Sequence, residues 1–223
     1  MLTRIVIPVW VSFTNTSEVP FVSSRYVAFH SDASNLVAGD TGGYEDIFVH
    51  DTQAGVTTRV STDSLGIEGN RTSKCPSISL DGRYVAFYSN ASNLVTGDTN
   101  GAWDMFVKDT QTGATTRVNT DSLGTEANWP GQVNRSGRSI SSDGRYVAFE
   151  SAASNLVSED RNGCSDVFVK DTQTGVTDAM SFRDPTTPPQ GGGGGYSWRP
   201  SISSSGRYVA FHSHANNLVL NQA

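Results

Sequence analysis

Three segments of the chain set oxygen ligands at spaced positions beside a glycine bend. They are Asp98-Thr99-Asn100-Gly101-Ala102-Trp103-Asp104, Asp160-Arg161-Asn162-Gly163-Cys164-Ser165-Asp166 and, without the asparagine, Asp40-Thr41-Gly42-Gly43-Tyr44-Glu45-Asp46. Carboxylate and amide oxygens in this arrangement suit a hard cation such as Ca²⁺. Asp98, Asn100, Asp104, Asp160, Asn162 and Asp166 are therefore the candidate metal ligands, and calcium is the one cofactor the sequence raises. The complete EF-hand loop, with its bidentate glutamate, is absent. The competing reading is a turn, in which Asn-Gly bends the chain and aspartate accepts backbone N–H bonds.

Other chemistry is sparse. Gly-x-Ser-x-Gly, His-Glu-x-x-His and a phosphate loop are all missing, so a protein without catalytic activity is expected. The five glycines Gly191–Gly195 precede a strand-like segment rather than a helix, and read as a flexible link. His30, Tyr88, Glu150 and His212 occupy one equivalent position in four repeated segments. Two histidines and a glutamate are transition-metal ligand types, but packing between repeats is the expected role. Trp10, Trp103, Trp129 and Trp198 fall at different points of their repeats. Aromatic platforms stack on sugars, which places a carbohydrate-binding lectin among the functional alternatives. Asn15, Asn70, Asn90 and Asn134 begin Asn-x-Ser/Thr sequons that would carry surface glycans in an extracellular setting.

The elements that position these residues are written in a repeat. Arg-Tyr-Val-Ala-Phe occurs at 25–29, 83–87, 145–149 and 207–211, with offsets 83−25 = 58, 145−83 = 62 and 207−145 = 62. A long fixed period marks units that bury their apolar faces only by stacking. The second copy resolves into four strands: Pro76–Ser79, Arg83–Ser89 after an Asp81-Gly82 turn, Asp104–Asp109, and Ala114–Val118 after a turn at 110–113. Asp-Gly between apolar runs is a hairpin signal, and the strands are rich in β-branched and aromatic residues. The third strand recurs at Asp46–Asp51 and Asp166–Asp171, the fourth at Val56–Val60 and Val176–Met180. No segment has helical apolar spacing over three turns. Four antiparallel strands per repeated unit predict an all-β fold, a β-propeller of four-stranded antiparallel blades. A right-handed solenoid of strands is the rival, and the hairpin inside each unit argues against it.

Ser77-Ile78-Ser79-Leu80-Asp81-Gly82-Arg83-Tyr84-Val85-Ala86-Phe87, followed by Asp-x-Phe-Val-x-Asp-x-x-x-Gly at 104–113, resembles the TolB-type, WD40-like propeller repeat of bacteria. The likeness runs from Pro20 to the C-terminus. It implies a binding module, since propellers of this family serve as protein-binding parts of envelope complexes, as propeller domains of peptidases and as parts of secreted proteins. It also implies an extracellular or periplasmic location. The chain differs from the family in having few complete blades.

Composition sets further bounds. The 223 residues suffice for one domain with a real core, and a formal charge of −6 argues against a nucleic-acid partner. Only 17% of residues are charged, and Lys74, Lys108 and Lys170 are the only lysines, which suits a secreted bacterial protein. Cys75 and Cys164 lie at non-equivalent points of different repeats and are expected to be free thiols. Residues 5–11 are too short for a membrane span and lack a small-x-small cleavage site, so they read as a strand.

The expected organisation is a single domain: an N-terminal closing strand at 1–19, blade 1 at 20–70, blade 2 at 71–132, blade 3 at 133–194 and a half blade 4 at 195–223. Three blades are complete, and the fourth lacks its third and fourth strands. An open strand edge is a template for another chain. The N-terminal segment, with Ile5, Ile7 and Val9 on one face and Trp10 on the other, would complete it within its own chain or a neighbour's. Tyr208, Ala210, His212 and Leu218 would form the acceptor. Donation to a neighbour gives a ring or filament. Structural self-assembly as a homo-oligomer or polymer is thus the leading functional expectation, with a TolB-like protein-binding adaptor and a lectin as alternatives.

Overall fold

The computed structural model describes residues 21–22, 25–128, 139–158, 160, 163–181, 195–215 and 218. These residues form fourteen strands and no helix. Blade 1 contains β1 (Phe21–Val22), β2 (Tyr26–Ser31), β3 (Asp46–Asp51) and β4 (Val56–Arg59). Blade 2 contains β5 (Ser73–Ile78), β6 (Tyr84–Ser89), β7 (Asp104–Asp109) and β8 (Thr115–Arg117). Blade 3 contains β9 (Ser139–Ile140), β10 (Tyr146–Ser151), β11 (Asp166–Asp171) and β12 (Thr177–Ala179). The fourth sheet pairs β13 (Ser197–Ile202) with β14 (Val209–Ser213). Neighbours in each sheet follow chain order and every described pairing is antiparallel, the pattern of consecutive hairpins.

The hairpin between β5 and β6 shows how the motif folds locally. Ser79 Oγ donates to Asp81 Oδ1 at 2.6 Å, and Asp81 Oδ1 also accepts from Arg83 N at 3.0 Å. Tyr84 N donates to Ser79 Oγ at 2.9 Å. The same three contacts recur at Ser141, Asp143, Arg145 and Tyr146. Across the central strand pair, Arg83 grips Asp109 through Nε (3.1 Å) and Nη2 (2.8 Å). Arg25–Asp51 and Arg145–Asp171 repeat the fork. A two-point guanidinium–carboxylate bond fixes register as well as charge, which explains why arginine opens β2, β6 and β10 and aspartate closes β3, β7 and β11.

The core lies between blades rather than within one. Directly opposed phenylalanines stack in each complete blade: Phe29 on Phe48 (5.7 Å), Phe87 on Phe106 (5.9 Å) and Phe149 on Phe168 (5.8 Å). Ala28 and Val49 of blade 1 cluster with Ile78 and Val85 of blade 2, and Ala86 and Val107 with Ile140 and Val147 of blade 3. Ala148 and Val169 then cluster with Ile202 of the fourth sheet. A sheet covered on both faces buries nearly every residue, and β6 and β10 are buried at all positions after their tyrosine.

Two polar devices lock adjacent blades. Lys108, buried on β7, donates to Thr62 Oγ1 (2.8 Å), Asp63 O (2.7 Å), Gly113 O (2.7 Å) and Thr115 Oγ1 (3.1 Å), so it clips the turn that leaves blade 1. Lys170 clips Thr120 and Asp121 in the same way. Burial pushes both ammonium groups below the usual lysine range, and the acceptors compensate for lost water. His50 takes this position in blade 1; its Nδ1 meets Thr57 Oγ1 at 2.9 Å, and its buried Nε2 makes no hydrogen bond. Replacing Lys108 by alanine strands these acceptors and is expected to cost about 1–3 kcal/mol in urea unfolding. A loss no larger than that from Lys74→Ala, a half-exposed lysine, would remove the clip from the account. The second device joins each linker to the next blade: Asn70 N donates to Asn93 Oδ1, and Asn128 N to Asn155 Oδ1, both at 2.9 Å.

Cys75 is a buried thiol and Cys164 a half-buried one, and they are not joined. Among the described residues no helix is long and apolar enough to cross a membrane.

Candidate functional site

The burial pattern changes at the last sheet. Along β14 exposure alternates, with Ala210 and His212 exposed and Val209, Phe211 and Ser213 half-buried. Tyr208 is 64% exposed. Tyr208, Ala210 and His212 stand at alternate positions and so share one face. Most of their equivalents in the other blades are covered: Ala28, Ala86 and Ala148 are buried, as are Tyr88 and Glu150, while His30 is half-buried. The equivalents of Tyr208 lie over a glycine of the following blade, Tyr26 over Gly82, Tyr84 over Gly144 and Tyr146 over Gly206. Among the described residues β14 also pairs on one side only, with β13. Trp198, cross-strand from His212, stacks on it at 5.9 Å and meets His214 edge-on at 4.8 Å. Leu218 is half-buried.

The structure places three of the expected acceptor residues, Tyr208, Ala210 and His212, on one face of the fourth sheet. The residues read as a seat for a donated strand mark the flat face of the sheet, because side chains stand off a sheet while pairing uses the backbone edge. The blade therefore offers two separate features: the edge of β14, and the face of Tyr208, Ala210 and His212. The expected donor, Ile5, Ile7, Val9 and Trp10, lies outside the described residues.

In two copies the calcium reading meets a residue that it did not include. Asp98, Asp104 and Glu126 bring carboxylate oxygens within 4.8 Å of one another. The Arg117 guanidinium stands among them, with Nη1 3.7 Å from Asp98, 3.4 Å from Asp104 and 2.5 Å from Glu126. Arg59 does the same for Asp40 (3.4 Å), Asp46 (3.5 Å) and Glu68 (3.1 Å). The cation of each cluster is thus an arginine side chain. Asn100 turns away: its Oδ1 accepts from Ala102 N at 2.7 Å and its Nδ2 donates to Ala127 O at 3.3 Å, which is the turn reading. In the third copy Ala179 replaces the arginine. Asp160 and Asp166 are both buried there, Asp166 Oδ1 accepting from Ser181 Oγ at 2.6 Å, and Asn162 lies outside the described residues. Arg59, Arg117, Glu68 and Glu126 carried a signal in the sequence, because each pair recurs at the same 58-residue offset as the motif, 117−59 = 126−68 = 58.

Burial pushes Asp46 up to about 6, against the opposing hydrogen bond from Ser61. Asp98 is pushed up to about 6 by burial and then by the Asp104 charge. Asp51, Asp109 and Asp171 move the other way, held well below the usual range by Arg25, Arg83 and Arg145. A carboxyl raised on folding adds stability that is full below its unfolded value, near 3.8, and is lost as pH rises through about 6. A lowered carboxyl adds stability present above that value and lost as pH falls below it. The denaturation midpoint is therefore expected to peak near pH 4 and to fall as pH rises from there through about 6. A midpoint that climbs steadily to pH 8 would show that the buried clusters do not govern the pH response.

Other expected sites fare differently. Trp103 is partly buried against the core cluster of blades 2 and 3, and Trp10 and Trp129 lie outside the described residues. Tyr88 and Glu150 are packed inside, with Tyr88 Oη 3.5 Å from the Glu150 carbonyl, rather than meeting at a metal. A cleft of about 690 Å³ between blades 1 and 2 is lined by Tyr26, Asp51, Gly82 and Arg83, whose charged groups are already in the forks with Arg25 and Asp109.

Among solved structures, a putative TolB from Agrobacterium tumefaciens matches at a TM-score of 0.50 and 16% identity, covering 85% of this chain and 50% of that one. The fold is that of a β-propeller, as in this TolB structure. TolB from Acinetobacter baumannii matches at 0.48 and 19%, covering 84% of this chain and 34% of that one. The tricorn protease matches at 0.49 and 11%, covering 85% and 14%. The propeller blades described here thus span a third to a half of the length of the TolB chains. At these identities the likeness establishes the fold alone. No family model and no curated protein matches the sequence.

Proposed function

We propose that this chain is a non-catalytic, protein-binding β-propeller module that takes up further β structure on its fourth blade. The observation that carries the reading is Tyr208, exposed on a face whose equivalents in blades 1–3 are covered by the next blade. An open strand edge beside an uncovered apolar face is the means by which sheets recruit other chains. The absence of a nucleophile motif, and the engagement of the clustered carboxylates with Arg59 and Arg117, support a role without catalysis. The TolB-like repeat motif and the scarcity of lysine support an extracellular or periplasmic setting.

In the finer form of this reading, residues 1–13 of one chain pair with the edge of β14 in the next, head to tail, and build a ring or filament. Sedimentation of the purified protein tests it directly. The full chain is expected above the 23.8 kDa of a single copy, and deletion of residues 1–13 is expected to return monomer. Equal mass and melting temperature with and without residues 1–13 would refute strand donation. The reading would then narrow to an adaptor that captures a partner's segment at the same blade.

A further inference from the structure

The linkers that leave blades 1 and 2 fold into the same small hairpin. Thr62 bridges Glu68 in one, and Thr120 bridges Glu126 in the other. Asp63 Oδ1 accepts from Leu65 N and Ile67 N, both at 2.8 Å. Asp121 Oδ1 accepts from Leu123 N at 2.8 Å and Thr125 N at 2.7 Å. Gly66 and Gly124 close the turns at φ of 85° and 87°, where glycine meets no penalty. Each hairpin is also pinned to the next blade. Ser64 Oγ accepts from Thr115 N and Ser122 Oγ from Thr177 N, both at 3.0 Å. Lys108 and Lys170 donate to the carbonyls of Asp63 (2.7 Å) and Asp121 (2.9 Å).

The leucine at each tip enters this scheme through its N–H alone. Its side chain is 86% exposed at Leu65 and 92% at Leu123, the most exposed large apolar residues among those described. One exposed leucine is ordinary on a protein surface. Here the same residue stands on the same rigid tip of two consecutive linkers. A further exposed apolar residue accompanies each: Ile67 two positions from Leu65, and Val176 beside Thr177, which Ser122 holds.

We propose that Leu65 and Leu123 form a self-pairing face that binds a second copy of this chain about a two-fold axis, Leu65 of each copy meeting Leu123 of the other. This face is separate from the fourth blade and goes beyond strand donation.

Two observations select a second copy as the occupant. Two like knobs side by side are self-complementary, because an axis midway between the hairpins sets the first knob of one copy on the second knob of the other and repeats the contact. The nearby charges are also balanced within each copy. Lys108 lies under Asp63 and Arg59 holds Glu68, while Lys170 lies under Asp121 and Arg117 holds Glu126. The chain carries −6 overall, yet this face meets its own kind without opposing uncompensated acids. The hairpins are formed before contact, which limits the ordering cost. Four leucines and their neighbours make a contact smaller than a permanent interface, so pairing is weak and belongs to concentrated solution.

Disulfide trapping tests the register. Leu65→Cys and Leu123→Cys are made separately in the full chain, with the half-buried thiol removed by Cys164→Ala, and are oxidised singly and as a mixture. The mixture is expected to give a dimer joined between positions 65 and 123, faster than either variant gives one alone. Equal trapping in single and mixed samples would overturn the two-fold register, and no mixed disulfide in concentrated protein would overturn the pairing itself. Each leucine taken out of the contact weakens it by roughly tenfold. Leu65→Ser removes one from each copy, so sedimentation of concentrated protein is expected to show pairing weakened about a hundredfold, at an unchanged melting temperature because the side chain faces water. Undiminished pairing in Leu65→Ser would overturn the proposal, as would Leu65-dependent binding to phosphatidylcholine vesicles by chains that stay single. Strand donation is judged apart from this: it depends on residues 1–13 and survives Leu65→Ser, whereas the mixed disulfide forms whether or not residues 1–13 pair with β14.

Discussion

Replacing Arg117 by alanine is expected to cost about 3–5 kcal/mol of stability at pH 7, because it leaves like charges buried together without a counter-ion. Asp98, Asp104 and Glu126 lie within 4.8 Å of one another, and the first two have side chains almost wholly removed from solvent. Arg117 also donates through Nη2 to Gly97 O at 3.2 Å, so the loop before β7 loses an anchor as well. Without the guanidinium, protonation becomes the cheapest way to relieve repulsion. The loss measured by urea denaturation should therefore shrink markedly at pH 5, and stability of the variant should fall more steeply above pH 6 than that of the natural protein. The same geometry predicts that EGTA leaves the melting temperature of the natural protein unchanged, since the centre of the cluster already holds a cation. An equal penalty at pH 5 and pH 7 would mean that Arg117 contributes by packing and not by charge.

The second large effect is expected at a glycine. Gly144→Ser would place a Cβ 2.0 Å from Tyr84 Cδ2 and force a side chain into φ 73°. The left-handed backbone and the overpacked junction together cost roughly 2–5 kcal/mol, with Tyr84 displaced from between blades 2 and 3. A double-mutant cycle isolates the contact. In a Tyr84→Ala background the serine should cost only the backbone share, about 1–2 kcal/mol. If the serine is equally damaging with and without the tyrosine ring, ring-on-glycine packing is not what joins the blades.

Much of the fold was legible because its determinants are local. The third strand occupies Asp104–Asp109 as read from the repeat, and the Asp81-Gly82 turn joins β5 to β6 through contacts spanning five residues or fewer. Residues that act through side-chain contacts between strands were read less well. Asp98, Asn100 and Asp104 looked like metal ligands because a sequence displays oxygen donors without showing which positive group neutralises them. The answer was Arg117, on the next strand and thirteen residues from Asp104. The Asn100 side chain satisfies its own turn at Ala102, a contact that the donor pattern did not reveal. The acceptor residues Tyr208, Ala210 and His212 were found by their place in the repeat, and a repeat motif does not distinguish the face of a sheet from its edge.

The sequence by itself determined the unit: the period, the four-strand hairpin order and the β-propeller class. These follow from side-chain alternation and turn chemistry, which act over a few residues. Only the tertiary structure decided how units join. Tyr26 meets Gly82 and Lys108 meets Thr62 across 56 and 46 residues of chain, distances at which no local preference acts. Blade stacking brings these groups together and removes water from between them, and that desolvation makes a bare glycine, a buried ammonium and a central guanidinium necessary to the fold.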